Sequence, residues 1–183
     1  MFPNRRPHSH LLHSSENLRM YKAGSVLVVF LGFAQYAQAA MPTTEEWGGW
    51  SAFTDPRYGT RVEYPSWFSV SDGRPQLGTG QRLVTPDGRA EIEIYSLPNT
   101  AHYTPRSYLA AKMKIDPATL HYKRVSARFF AVSAAREGKI YYTRCNFSGG
   151  DAGTIHCVYL GYPQSEKTQW DSIVTHVSYS LRP

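Results

Sequence analysis

The chain has 183 residues, 42% of them hydrophobic and 19% charged, with 20 Lys and Arg against 14 Asp and Glu. Its formal charge of +6 is gathered into no run of five or more like charges, so a nucleic-acid or membrane-surface role has little electrostatic support. Part of that charge belongs to a segment unlike the rest of the chain.

Lys22 gives this segment a basic start, Ala23 to Ala34 is an unbroken small and apolar run of twelve, and Ala37-Gln38-Ala39 has the A-x-A form of a cleavage site. A spanning helix needs about 20 apolar residues, so the run reads as a Sec-type secretory signal. The expected organisation is a signal peptide over residues 1–39, with Met20 as an alternative start, an irregular lead-in over 40–56 and a single α+β domain over 57–183. Cleavage between Ala39 and Ala40 would leave no stable membrane span and a periplasmic or secreted protein. Arg5-Arg6 lies too far from the apolar run for a twin-arginine signal, and His8, His10 and His13 fall in the part removed. From Ala40 onward there are 16 Lys and Arg against 13 Asp and Glu, a charge of +3. A chain of this size buries about 68–70% of its unfolded surface, enough for one core.

The lead-in holds Trp47 and Trp50 among glycines. Arg61, Glu63 and Pro65 then alternate with Val62 and Tyr64 as in a half-buried strand, and Pro65, which has no N–H to donate, ends the pairing. Trp67 and Phe68 follow to cover one end of the sheet. Thr85-Pro86-Asp87-Gly88 is a turn with proline second and glycine where positive φ is wanted. The hairpin built on it sets Ala90, Ile92 and Ile94 on one face, Glu91, Glu93 and Tyr95 on the other, and Arg82 directly across from Glu91. Thr104 and Pro105 open a helix that runs to Ile115 before Asp116-Pro117 stops it. Three further strands are expected: Tyr122 to Val132 with a break near Ser126, Lys139 to Phe147, and Thr154 to Tyr162. They form an antiparallel meander. In the C-terminal helix Ser165 is the candidate cap, and Trp170, Ile173, Val174, Val177 and Leu181 make one apolar stripe.

Cys145 and Cys157 are the only cysteines. In an exported chain such a pair reads as a disulfide, and its midpoint at Asp151, within the Gly149-Gly150-Asp151 turn, places the two opposite each other in a hairpin. The alternative, two metal-binding thiolates, finds no C-x-x-C or H-x-x-x-H to complete it. No metal site and no cofactor is expected.

Tyr58-Gly59 and Tyr64-Pro65, the Asp87-Gly88 hairpin, the short helix, Gly138 to Tyr142, Tyr162-Pro163 and Asp171 to Val174 occur in an order that resembles a group of small exported bacterial proteins of unknown function. More distantly, the chain is similar to the PsbP-like fold of photosystem extrinsic proteins and bacterial envelope relatives, over about Trp50 to Pro183. The resemblance implies an α/β/α sandwich, with about five to seven strands packed against the short helix and the C-terminal helix, that binds or scaffolds. It brings no catalytic residues, and no acidic cluster for calcium is matched.

Glu91 and Glu93, about 7 Å apart along one strand face, have a spacing suited to paired acid and base, or else form a solvated face beside Arg82. Ser148 to Gly153 looks like a Gly-rich loop, but Thr154 opens a strand where a phosphate loop wants Lys-Ser/Thr and a helix. His102, His121, His156 and His176 are candidate bases without a local nucleophile motif. Thirteen tyrosines and four tryptophans exceed the needs of one core. Trp47, Trp50, Trp67, Tyr103, Tyr141 and Tyr159 are therefore the candidate binding residues, for sugar stacking or a protein interface. The plain alternative puts Trp67 and Trp170 in the core and folds Trp47 and Trp50 back as a flap. The functional expectation is a non-enzymatic binding or scaffolding module for an envelope protein or cell-wall component. A glycan or polysaccharide binder, and then a small hydrolase, are the alternatives. Oligomeric state is left open.

Overall fold

The computed structural model describes residues 48–149 and 153–183. The signal segment, its cleavage site, Met20 and Trp47 lie outside them, as do Gly150, Asp151 and Ala152.

Among the described residues there are nine strands and two α-helices in the order β1 (Trp50–Thr54), β2 (Arg61–Pro65), β3 (Ser69–Val70), β4 (Thr79–Val84), β5 (Glu91–Pro98), α1 (Pro105–Lys112), β6 (Leu120–Val125), β7 (Phe129–Arg136), β8 (Lys139–Ser148), β9 (Thr154–Pro163) and α2 (Lys167–Ser180). Strands β1 and β2 pair as a separate ribbon; the other seven make one antiparallel sheet ordered β3-β4-β5-β9-β8-β7-β6. The fold is α+β, as the sequence led one to expect.

Side chains alternate across this sheet, and each face carries one of the helices. On one face Val62 from the ribbon, Leu83, Ile92, Ile94, Val158 and Leu160 pack under Trp170, Ile173 and Val177 of α2. On the other, Tyr95, Phe130, Val132, Ile155 and the two cysteines pack under Tyr108 and Leu109 of α1. The stripe expected on α2 is the buried one. Helix α1 starts where its cap directs: Thr104 Oγ1 accepts the Ser107 N–H at 3.1 Å while Ser107 Oγ accepts the Thr104 N–H at 2.9 Å.

Four local expectations are corrected. Trp50–Thr54, read as irregular lead-in, is a strand: its alternate residues Ser51 and Phe53 turn inward against β2, with Phe53 opposite Val62. Arg82 lies across from Glu93, and Val84 from Glu91, because the loop takes in Arg89 as a fourth residue after Pro86, Asp87 and Gly88. Asp87 holds it there by accepting from the Arg89 N–H at 3.1 Å and from Thr85 Oγ1 at 2.5 Å. Helix α1 stops at Lys112, before Ile115, as Lys114 turns to φ +34°. Ser165 does not cap α2; it sits in a single 3₁₀ turn, Gln164–Glu166, that leads into the helix.

Cys145 and Cys157 are register partners on β8 and β9 with Cα atoms 4.1 Å apart, and they form a disulfide that is fully buried beneath α1.

Candidate functional site

Helix α1 has eight residues, about 12 Å of length, whereas six inter-strand steps make the sheet about 29 Å wide. The helix therefore covers the disulfide region and leaves the rest of that face to a cleft of about 610 Å³. Its floor comes from residues on four neighbouring strands, β5, β9, β8 and β7, among them Glu93, Tyr159, Tyr141, Thr143 and Val132; the segment Lys112 to Asp116 and the loop residues Gln76 and Leu77 form its walls.

Tyr141 and Tyr159 meet here because of a glycine. Gly161 is the register partner of both Glu91 and Tyr141, and a Cβ on it would stand 3.1 Å from the Tyr159 hydroxyl, so the Tyr159 side chain lies across the gap that the missing side chain leaves. The two rings stack at 6.0 Å, and the Arg136 guanidinium lies 5.4 Å from the centre of the Tyr141 ring. Both tyrosines are half-buried.

Glu93 is the buried charge of the cleft, 6% exposed. It accepts the Gln76 N–H at 3.3 Å and stands 3.7 Å from Arg82 Nε. Burial raises its pKa above the usual carboxylate range, against the pull of the Gln76 hydrogen bond; the nearby Glu91 raises it further. Glu91 is differently placed, since its Oε2 takes Arg82 Nε at 3.0 Å and Nη2 at 2.5 Å. The two carboxylates share a face, but one is tied directly to the arginine and the other is secluded within the cleft. Burial also pushes the Tyr95 and Tyr159 hydroxyls well above the ordinary tyrosine range, so neither ionises near neutral pH.

The other candidates are scattered. Trp50, 40% exposed, stacks on His176 with ring centres 3.6 Å apart, on an open shelf beside α2 where His176 Nε2 and Glu63 Oε2 are 2.9 Å apart. The hydrogen bond from His176 holds the Glu63 pKa below its usual value. Trp67 packs on Phe68 and Trp170 at 4.7 and 6.1 Å, at the edge of the α2-side core. Tyr103 stands edge-on to Tyr108 at 5.5 Å with Lys112 Nζ 5.6 Å from its ring centre.

A fourth arrangement gave no local sequence signal. His156, 1% exposed, lies between Ser148 Oγ, 2.7 Å from Nε2, and Thr60 Oγ1, 2.6 Å from Nδ1; Thr60 in turn meets Ser96 at 2.5 Å. Burial lowers its pKa, which keeps the ring neutral. A serine so close to an imidazole has the spacing of a nucleophile and its base, but this ring is sealed from solvent and its second nitrogen meets a hydroxyl instead of a carboxylate. The chain of hydroxyls satisfies a buried histidine.

Among the described residues no cluster of three or more His, Cys, Asp or Glu is placed to hold a metal, and no helix is long and apolar enough to cross a membrane.

No protein-family model matches the chain, and no curated protein does. Among solved structures it is similar to cyanobacterial PsbP (CyanoP) from Synechocystis sp. PCC 6803, at 11% identity over 79% of this chain and 98% of that one, with a TM-score of 0.47. It is also similar to LpqN, involved in cell envelope biogenesis of Mycobacterium tuberculosis, at 10% identity over 74% of this chain and 91% of that one, with a TM-score of 0.47. The first carries the PsbP name to which the sequence resemblance pointed. At this identity and TM-score neither match says what the present chain binds or does.

Proposed function

We propose that this chain is an exported, non-enzymatic binding module, periplasmic or secreted, that takes an envelope protein or cell-wall component into the cleft beside α1. The observation that carries the reading is the sheet face α1 leaves uncovered, where Tyr141 and Tyr159 form a stacked floor next to the secluded Glu93. Aromatic rings held by a rigid sheet give contact area at little entropic cost, and the surrounding Lys112, Lys114 and Arg136 supply polar contacts at the rim. A binding role is favoured over acid–base chemistry because Glu91, the second carboxylate such chemistry needs, is committed to Arg82. The buried disulfide supports a life outside the reducing cytoplasm.

A cell-wall glycan is the second reading, favoured by tyrosines standing next to a carboxylate, the pair of groups that stack on a sugar ring and bind its hydroxyls. The test is capture of the tagged native protein from an envelope fraction beside a Tyr141→Ala/Tyr159→Ala variant. A partner retained by the first and lost from the second is expected; retention by both would sink the cleft as the site. Soluble cell-wall fragments that shift the amide resonances of Glu93, Lys114 and Tyr159 would select the glycan reading. Export is checked by mass: the mature chain should begin at Ala40 and be two hydrogens lighter than its dithiol form.

A further inference from the structure

The opposite face of the sheet carries a second arrangement, independent of the cleft. Arg124 on β6 and Arg144 on β8 are both register partners of Ala131 on β7, so the three stand in one row across three strands. Two inter-strand steps put the arginine backbones about 10 Å apart with only a methyl group between them. Both guanidinium carbons lie over the ring of Phe129, at 5.5 and 4.5 Å from its centre. Arg144 is held further by Tyr179, 5.7 Å away, by Asn146 Oδ1, which accepts from Nε at 3.1 Å, and by Ser178 Oγ at 3.5 Å from Nη1.

Two like charges converging on one ring call for a counter-charge, and among the described residues neither arginine has a carboxylate within ion-pair distance. The row opens into a groove of about 330 Å³ whose other walls include Tyr122, Thr175, Ser178 and Tyr179, with no acidic residue among them. Tyr122 and Tyr179 are 47% and 70% exposed, so the groove is open to solvent.

The geometry points to an oxyanion site, with Arg124 and Arg144 gripping a phosphate monoester across Ala131. Two guanidinium forks match the charge of about −1.5 to −2 on such a group and supply paired N–H donors to its oxygens. A singly charged carboxylate would take the same place more weakly. The exposed Tyr122 lines the same groove, while Thr175 Oγ1 donates to the Asp171 carbonyl and Ser178 Oγ meets the Tyr142 hydroxyl at 2.6 Å, which fixes the wall against which the ligand would sit.

The test uses the mature oxidised protein, titrated with inorganic phosphate and with glycerol 3-phosphate while amide resonances and thermal midpoint are followed. Saturable shifts at Arg124, Ala131, Arg144 and Tyr179, with a phosphate-dependent rise in midpoint, are expected. Arg124→Gln and Arg144→Gln should each weaken binding about tenfold, and Arg→Lys at either position, which keeps charge but loses the fork, should fall between. Lys123→Gln removes an equal charge from the same strand on its other face and should leave affinity unchanged. Phosphatidylcholine vesicles with and without phosphatidic acid separate the sources: binding to soluble phosphates assigns a free ligand, and arginine-dependent binding to the acidic vesicles alone assigns a headgroup. Absence of saturable binding in both arms, or an equal loss in Lys123→Gln, would overturn the site.

Discussion

On one side of the seven-stranded sheet the fourteen-residue α2 and the β1–β2 ribbon close over a broad apolar layer; on the other an eight-residue helix sits above the disulfide and stops. The α2 side holds Trp170, Ile173 and Val177 at 1% exposure or less. The α1 side ends in a cleft whose floor includes a secluded carboxyl. The difference teaches where each face does its work. Continuous side-chain burial fixes the body from the α2 side, while a covalent tie under α1 lets the adjoining surface stay open.

The sharpest way to break the contrast is Trp170→Ala. It should cost about 3–5 kcal/mol in denaturant unfolding, because the ring is sealed among Phe68, Trp67 and Tyr162 and its loss leaves a cavity. Next comes the tie itself. With a sequence separation of 12 between its cysteines, replacing both by serine should remove about 3 kcal/mol of chain-entropy stabilisation while α2 packing, read by Trp170 fluorescence, survives. A Trp170 signal lost along with the disulfide would show that the faces are not separable.

A smaller effect is read as a slope. Glu93 has its pKa raised by burial above the 4.5 of a free carboxyl, so the folded state holds a proton that the unfolded chain has given up. Stability contributed by this group is full below pH 4.5 and is lost as pH rises through the raised value. His156 works the other way: its lowered pKa means that the unfolded chain takes up a proton first as pH falls below 6.5, and stability declines with it. Glu93→Gln should abolish the first slope in pH-dependent unfolding and leave the second; loss of neither would show that Glu93 is hydrated in solution. The smallest change is Lys167→Ala, which removes an exposed i,i+4 pair with Asp171 and should shift stability by no more than about 0.5 kcal/mol.

Much of the body was legible from local chemistry. Thr104-Pro105 announced α1, the stripe from Trp170 to Leu181 announced the buried face of α2, and the spacing of Cys145 and Cys157 about a glycine turn gave the β8–β9 register. Less was legible where a pairing is decided far away in the chain. Trp50–Thr54 is a strand because β2 returns beside it, and five residues between a glycine pair and Asp55-Pro56 carry no such message. The Arg82 register turned on a single loop residue. Of the aromatic candidates, Tyr141 and Tyr159 come together through the bare backbone of Gly161, whereas Trp50, Trp67 and Tyr103 go to three other places. The arginine row was invisible because it needs two registers at once, one of them shifted by the irregularity between Leu120 and Tyr122.

Strand β9 lies between β5 and β8, although it is the last strand of the sheet to be made. Until residues beyond Thr154 arrive, the hairpins on either side have no shared hydrogen-bond ladder and remain two unjoined wings. Assembly must wait for a late keystone to slide into the middle, a long-range closure that slows folding. The sheet therefore cannot lock before nearly all of the chain has been made.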